Sequence, residues 1–418
     1  MELQTKYIRE RVSYIYLKGG EKVLIQKPIN SLNITQFLSA FADSVIIIII
    51  AFMLKESLGT NDDHNPYIFL VETFFLFSYV LFAPFVGTFA DRNAKSKVLF
   101  TGNTVKVIGI LLLILGFNSA LSYGVIGLGA AIYGPAKYGI LKELTKGNKE
   151  LLDANGKLEG FTILAIILGT VVGGILSSYS GFGKFFCLGI YILSVLLALK
   201  IPAKEGNKQL NYQKEALQFF QDVKFAFQNP RLSFTLVGGG AFWMISVVIK
   251  NALFLWIPLH LGIKSGFPLS LIIGMTAIGI VIGSLLAKKY TSIEKFYRAN
   301  IYGFVVAGLA IIFPLIYGHH VVAQIFVCIL LLGLGIFAGL FIIPLNATLQ
   351  EEGSGTLGVG KTIAVQNFVN NTMMLFGTYT VYLLNTRYGF SVTTSLVTFG
   401  FIYFLLIILL SYQSKKFK

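Results

Sequence analysis

The chain reads as an all-α membrane protein of about twelve transmembrane helices in two pseudo-symmetric halves of six, and three observations predict this. The composition is 55% hydrophobic and only 13% charged, with a mean hydropathy of +0.74. That is too apolar for 418 residues folded around one water-soluble core. Apolar runs of span length recur along the whole sequence. One polar gap then divides them six and six.

The runs lie near 32–54, 67–90, 98–117, 120–141, 158–180 and 184–201, then 232–261, 268–287, 298–317, 320–346, 361–385 and 389–412, each bounded by charges, Gly or Pro. As a helix the first reaches about 34 Å at ~1.5 Å per residue, enough to cross a hydrocarbon core of about 30 Å. Four segments follow: an N-terminal arm, 1–31; a first half, 32–201; a central loop, 202–231; and a second half with a short tail, 232–418. In the central loop Leu217, Phe220, Val223 and Phe227 recur at helical spacing opposite charges, the pattern of an amphipathic helix at the membrane surface or of a solvated linker.

Charge sets the orientation. With both chain ends on one side, that side collects Lys6, Arg9, Arg11, Arg92, Lys95, Lys97, Lys142, Lys146, Lys149, Lys157, Lys288, Lys289, Lys295, Arg298, Lys415 and Lys416, while the other holds only Lys55, Lys184, Lys264 and Arg387. Basic residues concentrate on cytoplasmic loops, so both termini are expected in the cytoplasm. The net charge of +15 is then explained by topology and anionic inner-leaflet lipid, and no nucleic acid is implied. Cys187 and Cys328 both fall in apolar runs, which argues against a disulfide framework or a cysteine metal site. The charged start has no small-residue cleavage site and is not expected to be a cleaved signal peptide.

Asp43 lies in the middle of the first run, hence near the bilayer midplane. A carboxylate there costs at least ~2.5 kcal/mol, so it is expected to face a polar interior with a partner; a protonated Asp bonded to a neighbouring helix is the plainer alternative. Lys250, well inside the seventh run, is too deep to snorkel easily. Lys106 and Glu72 are expected to pair locally or snorkel, in structural roles. Glu159 is expected to cap a helix or pair with Lys137. Gly169, Gly173 and Gly174 suit close helix packing. Gly355 to Thr362 has the spacing of a phosphate-binding loop, but such a loop needs a preceding strand in a soluble domain, so nucleotide binding is not expected. His319 and His320 lack further ligands nearby, and neither metal nor cofactor is expected. No nucleophile or His/Asp arrangement in the polar segments supports an enzyme.

Two halves of six spans suggest a carrier built from repeats, with its site near the midplane between them. Faint internal similarity fits: GTFADRNAKSKVLF (Gly87 to Phe100) has a counterpart in GSLLAKKYTSIEKFYR (Gly283 to Arg298), and YGPAKYGILKEL in IPLNATLQEE.

The loop GTFADRNAKSK resembles the signature between spans two and three of the major facilitator superfamily, through Gly87, Asp91, Arg92, Lys95 and Lys97, with Ala94 where that signature commonly has Gly. Gly87 is expected to permit close helix approach, and Asp91 to accept hydrogen bonds from basic groups or a helix N-terminus of the neighbouring half, holding an inner gate. QFLSAFADS, LFAPFVGTFAD, YGPAKYGILKEL, PLNATLQE and IAVQNF together resemble the bacterial lysophospholipid transporter family of that superfamily. The resemblance implies movement of lysophospholipids such as lysophosphatidylethanolamine from the outer to the inner leaflet of the bacterial inner membrane, for reacylation by a cytoplasmic-side acyltransferase. It implies no cofactor. A monomer is expected.

By the same resemblance Asp43 matches the family's acidic residue in span one, Lys137 its basic residue in span four, and Gln366 and Asn367 polar positions of span eleven. Lys250 stands where an Arg is expected, and Asn370 where some members have an acid. Arg forks onto phosphate and stays charged, whereas Lys is a point charge. A charged head group needs opposite charges within the carrier: Asp43 for an ammonium head or a bridging Lys, Lys250 and Lys137 for phosphate, and Gln36, Gln366, Asn367, Asn370 and Asn371 as neutral partners. The open alternative is a proton-coupled carrier of another small amphipathic molecule, drug or siderophore, with Asp43 as its protonation site.

Overall fold

The computed structural model describes the backbone of residues 14–16, 22–24, 28–57, 67–145, 148–202, 204–292 and 294–417, and their side chains except in 14–24, 55–57 and 148–153 and at 142, 155, 156, 159, 288 and 359. A two-stranded antiparallel hairpin, β1 (Tyr14–Tyr16) and β2 (Lys22–Leu24), lies in the N-terminal arm with Tyr14 opposite Leu24. The first half is α1 (Pro28–Ser57), α2 (Tyr67–Arg92), α3 (Lys95–Ile114), α4 (Ser119–Leu144), α5 (Asn148–Leu176) and α6 (Ser180–Ala198). The central loop forms α7 (Tyr212–Gln228). The second half is α8 (Pro230–His260), α9 (Gly266–Tyr290), α10 (Asn300–Ile312), α11 (Val321–Thr356), α12 (Val359–Thr386) and α13 (Val392–Gln413).

All twelve predicted runs are helices. Among the described residues, nine stretches are long and apolar enough to cross a membrane, and one of them, Gly160–Ala198, takes in most of α5 and all of α6. α4 and α12 are outside these nine stretches; in α12 Gln366, Asn367, Asn370 and Asn371 lower the hydropathy. Helix ends follow local chemistry: the Asn118, Asn211 and Asn229 side chains accept hydrogen bonds from the first amides of α4, α7 and α8, and Pro230 occupies the first turn of α8.

The packing repeats. α1 packs on α5 and α6, α3 on α4 and α6, and α2 on α4. In the second half α8 packs on α12 and α13, α10 on α11 and α13, and α9 on α11. Each pairing maps onto its partner by advancing six spans, which is the signature of two halves sharing one design. Small residues set the spacing: a Cβ on Gly102 of α3 would come within 2.7 Å of the Gly129 carbonyl on α4.

The halves meet along two seams, α2 with α12 and α5 with α9. Twelve spans place both chain ends on one face, here called the terminal face. Both seams are tight toward the far face: a Cβ on Gly174 would lie 2.6 Å from the Gly266 carbonyl, and the Thr73 hydroxyl donates to Thr378 across 3.3 Å. Gly169 and Gly173 serve the same end inside the first half, each abutting α1. α8 is the most enclosed of the nine stretches, with 78% of its apolar window buried. Lys250 on that helix is partly buried.

α7 resolves the two readings of the central loop in favour of a helix. Leu217, Phe220 and Phe227 are exposed, whereas Val223 turns inward with Ala226 to pack beside Leu232, Leu349 and Val365. The predicted apolar stripe is thus divided between the surface and the bundle.

Candidate functional site

Between the halves on the terminal-face side lies a cavity of about 630 Å³. Its walls come from α2 (Tyr79, Pro84, Gly87, Thr88, Asp91), α4 (Ala131, Gly134, Pro135, Tyr138, Gly139, Glu143), α12 (Ile363, Ala364, Val365, Asn367, Phe368) and α7 (Gln218, Phe219, Asp222). Closed beyond and open here, the molecule adopts the arrangement of a two-half carrier facing its terminal side.

Beside this cavity the membrane charges are paired. In the first half Lys106 on α3 donates to Asp43 Oδ2 at 2.5 Å and to Ser39 Oγ at 2.8 Å, while the Tyr191 hydroxyl on α6 donates to Asp43 Oδ1 at 2.7 Å. The chain of bonds continues from Ser39 to Asn103 and from Asn103 to Ser194, each at 2.9 Å. The Lys106 side chain is 3% exposed and that of Asp43 18%. Three helices are thus tied by one polar network whose charges cancel.

The second pair crosses between halves: Lys250 Nζ on α8 lies 3.3 Å from Glu72 Oε2 on α2. The bridging Lys expected for Asp43 is Lys106: α1 turns Asp43 toward Lys106 on α3 and Tyr191 on α6. Lys106 and Glu72, expected in structural roles, are the direct partners of the two foremost site candidates.

Of the remaining candidates, Gln36 is buried and donates to Thr162 on α5 at 2.9 Å. Gln366 donates to Asn346 on α11 at 2.9 Å, Asn371 donates to the Asn367 carbonyl, and Asn367 itself lines the cavity. Asn370 is buried, its Oδ1 without a hydrogen-bond partner. Lys137 is half-buried, with its ammonium 4.7 Å from the centre of the Tyr138 ring, and Tyr138 lines the cavity. The Glu159 side chain lies outside the described residues. Asp43, Lys250, Lys137, Gln36, Gln366 and Asn370 do not line the cavity.

The gate residues need two corrections. A Cβ on Gly87 would meet open space, so this glycine widens the cavity wall and does not bring helices together. Asp91 pairs with Lys95 of its own half at 2.5 Å and, among the described residues, accepts no bond from the second half; its carbonyl instead takes the Asn207 amide of the central loop. Arg92 donates to the Leu210 carbonyl, with Tyr212 stacked 4.8 Å from its guanidinium. On the other side Lys361 of α12 pairs with Asp222 of α7 at 2.9 Å, and Phe219 packs edge-on to Phe368 at 5.4 Å. The central loop therefore bridges the two halves beneath the cavity. Lys361 belongs to the stretch with phosphate-loop spacing, which here runs from the end of α11 into α12, with no strand before it.

The fold and site define a membrane carrier of two six-helix halves, and residues 32–378 match the Major Facilitator Superfamily. Among solved structures, a mutant of the nucleoside transporter NupG is similar over 93% of this chain and 99% of its own, with a TM-score of 0.70 and 14% identity. A POT family transporter bound to 5-aminolevulinic acid is similar over 93% and 96%, with a TM-score of 0.69 and 13% identity. These two share the fold. Sequence relatives are nearer: the lysophospholipid transporter LplT of Photorhabdus laumondii is 36% identical over 90% of this chain and 93% of its own length. That of Yersinia enterocolitica is 35% identical over 85% and 87%. The chain belongs to the LplT lysophospholipid transporter family within the major facilitator superfamily.

Proposed function

We propose that the protein carries lysophospholipids such as lysophosphatidylethanolamine from the outer to the inner leaflet of a bacterial inner membrane by alternating access. The observation that carries this reading is the family match, which spans both halves at 36% identity. The chemistry agrees with it. A lysophospholipid combines a charged head with one acyl chain, so its carrier must shelter the head while the chain stays in an apolar path. The cavity offers both, with Thr88, Asp91, Lys95, Gln218 and Asn367 beside Pro84, Val86, Ala131, Ile363 and Phe368. Its volume of about 630 Å³ suits a small-molecule site. The basic terminal face is assigned to the cytoplasm, which puts the cavity mouth where reacylation by an acyltransferase would consume the lipid. The protein works as a monomer in this reading and catalyses no reaction itself.

The test is transfer of labelled lysophosphatidylethanolamine in liposomes, read as the fraction removable by albumin, with and without a proton gradient. Acceleration over empty vesicles supports the proposal; none refutes it. A second reading, a proton-driven carrier of another amphipathic molecule, rests on the burial of Asp43 against Lys106. It predicts no lysophospholipid transfer, and uptake of that molecule only with the gradient.

A further inference from the structure

The Glu72–Lys250 pair lies outside the cavity and joins helices of different halves, so lipid binding in the cavity does not explain it. We propose that Glu72 stands in for the substrate phosphate: it neutralises Lys250 while the far face is shut and yields it to the phosphate of a lysophospholipid when that face opens. This deepens the lysophospholipid reading and rests on it.

Three observations lead there. First, the partners move with different bodies. Glu72 is fixed in the first half, since α2 lies hard against α4, where a Cβ on Gly127 would come within 2.5 Å of the Phe75 carbonyl and Phe75 stacks on Tyr123 at 4.7 Å. Lys250 is fixed in the second half by α8, which packs on α11, α12 and α13. Opening the far face separates α2 from α8 and α12, so the 3.3 Å pair cannot survive it. Second, the partners are unequally covered: the Glu72 side chain is 6% exposed and that of Lys250 27%. Lys250 is thus the member a ligand can reach, and Glu72 the member built into the wall. Third, Lys250 lies on the most enclosed of the nine described stretches, where a separated ammonium must find another anion.

A lysine has three donors, but a carboxylate and a phosphate crowded on one ammonium repel each other, so one replaces the other. The exchange links phosphate binding to release of the far seam, because the ligand takes the group that holds the seam shut. A neutral single-chain lipid cannot make the exchange. Glu72 is therefore a positioning and specificity residue for phosphate-bearing lipids.

The test uses the purified full chain in nanodiscs, with Cys187 and Cys328 replaced and T73C placed on the far seam beside Thr378. In this background E72Q is expected to raise maleimide labelling at the T73C site about tenfold without substrate, since a tenfold shift is a modest bias between two states. With Glu72 intact, lysophosphatidylethanolamine should raise labelling and monoacylglycerol should not. E72D, whose shorter side chain stretches the pair, should fall between, and serves if E72Q does not fold. Transport by E72Q should half-saturate at several-fold lower lipid but turn over more slowly, a split that mere destabilisation does not produce. Labelling unchanged in both E72 variants, or an equal response to monoacylglycerol, overturns the proposal. If labelling ignores lysophosphatidylethanolamine while liposome transfer is active, the exchange fails and the lysophospholipid function stands. If transfer is also flat, the function itself fails.

Discussion

Among the described residues, Asp43 is the anion that Lys106 pairs with. The Lys106 side chain is 3% exposed, and its ammonium has two hydrogen-bond acceptors, Asp43 and Ser39. Replacing Asp43 by Asn leaves a buried ammonium uncompensated, which costs about 3–5 kcal/mol. Asp43→Asn is therefore expected to lower the unfolding midpoint clearly and to abolish transfer. Adding Lys106→Met, which removes the orphaned charge at similar volume, should recover most of the stability without restoring transfer. Recovery of transfer in the double variant would make the pair purely structural. The signal for this pair was available in the chain: Asp43 and Lys106 are opposite charges, each in the middle of a span, and each demands a partner at that depth. The same reasoning couples Glu72 to Lys250. What the spacing along the chain leaves open is azimuth, which decides that Asp43 meets Lys106 and Lys250 meets Glu72.

At the scale of elements, α7 is a polar helix that packs on both halves. The central loop is tied to the first half through Arg92, Leu210, Tyr212 and the Asn207 amide, and to the second through Asp222, Lys361, Phe219 and Phe368. Lys361 is half-exposed, so its pair with Asp222 contributes less than about 1 kcal/mol. Gln218 also donates to Asp222 at 2.9 Å. Lys361→Gln is thus expected to leave the unfolding midpoint nearly unchanged while speeding tryptic cleavage at Lys214 and Lys224 several-fold, because one anchor across the halves is lost. Unchanged cleavage would mean that the aromatic contact alone holds α7. Helical spacing of Leu217, Phe220, Val223 and Phe227 made this helix legible, but only packing shows that Val223 faces the bundle.

For the whole molecule, the two halves share one packing scheme and lean together at the far face, leaving the basic face open above α7. Assigning that face to the cytoplasm predicts that K416C reacts with an impermeant maleimide in inverted vesicles and not in spheroplasts, whereas K264C does the opposite. The reverse pattern would overturn the orientation. Alternating access further requires that the seams α2–α12 and α5–α9 loosen at the far face as the terminal face closes. The close approach of Gly174 to Gly266 leaves no room for side chains there when shut.

The chain by itself determined the number and order of the spans and the polar gap between them, because hydropathy and helical period are local and are read residue by residue. Its resemblance to a family reached the fold and the lysophospholipid transporter family. Only the tertiary structure decided which charges meet, that Gly87 faces open space, and that Asp91 stays with its own half. These depend on how each helix is rotated and which neighbour it faces. Rotation is settled by the sum of many packing contacts across the bundle, and no single stretch of sequence contains that sum.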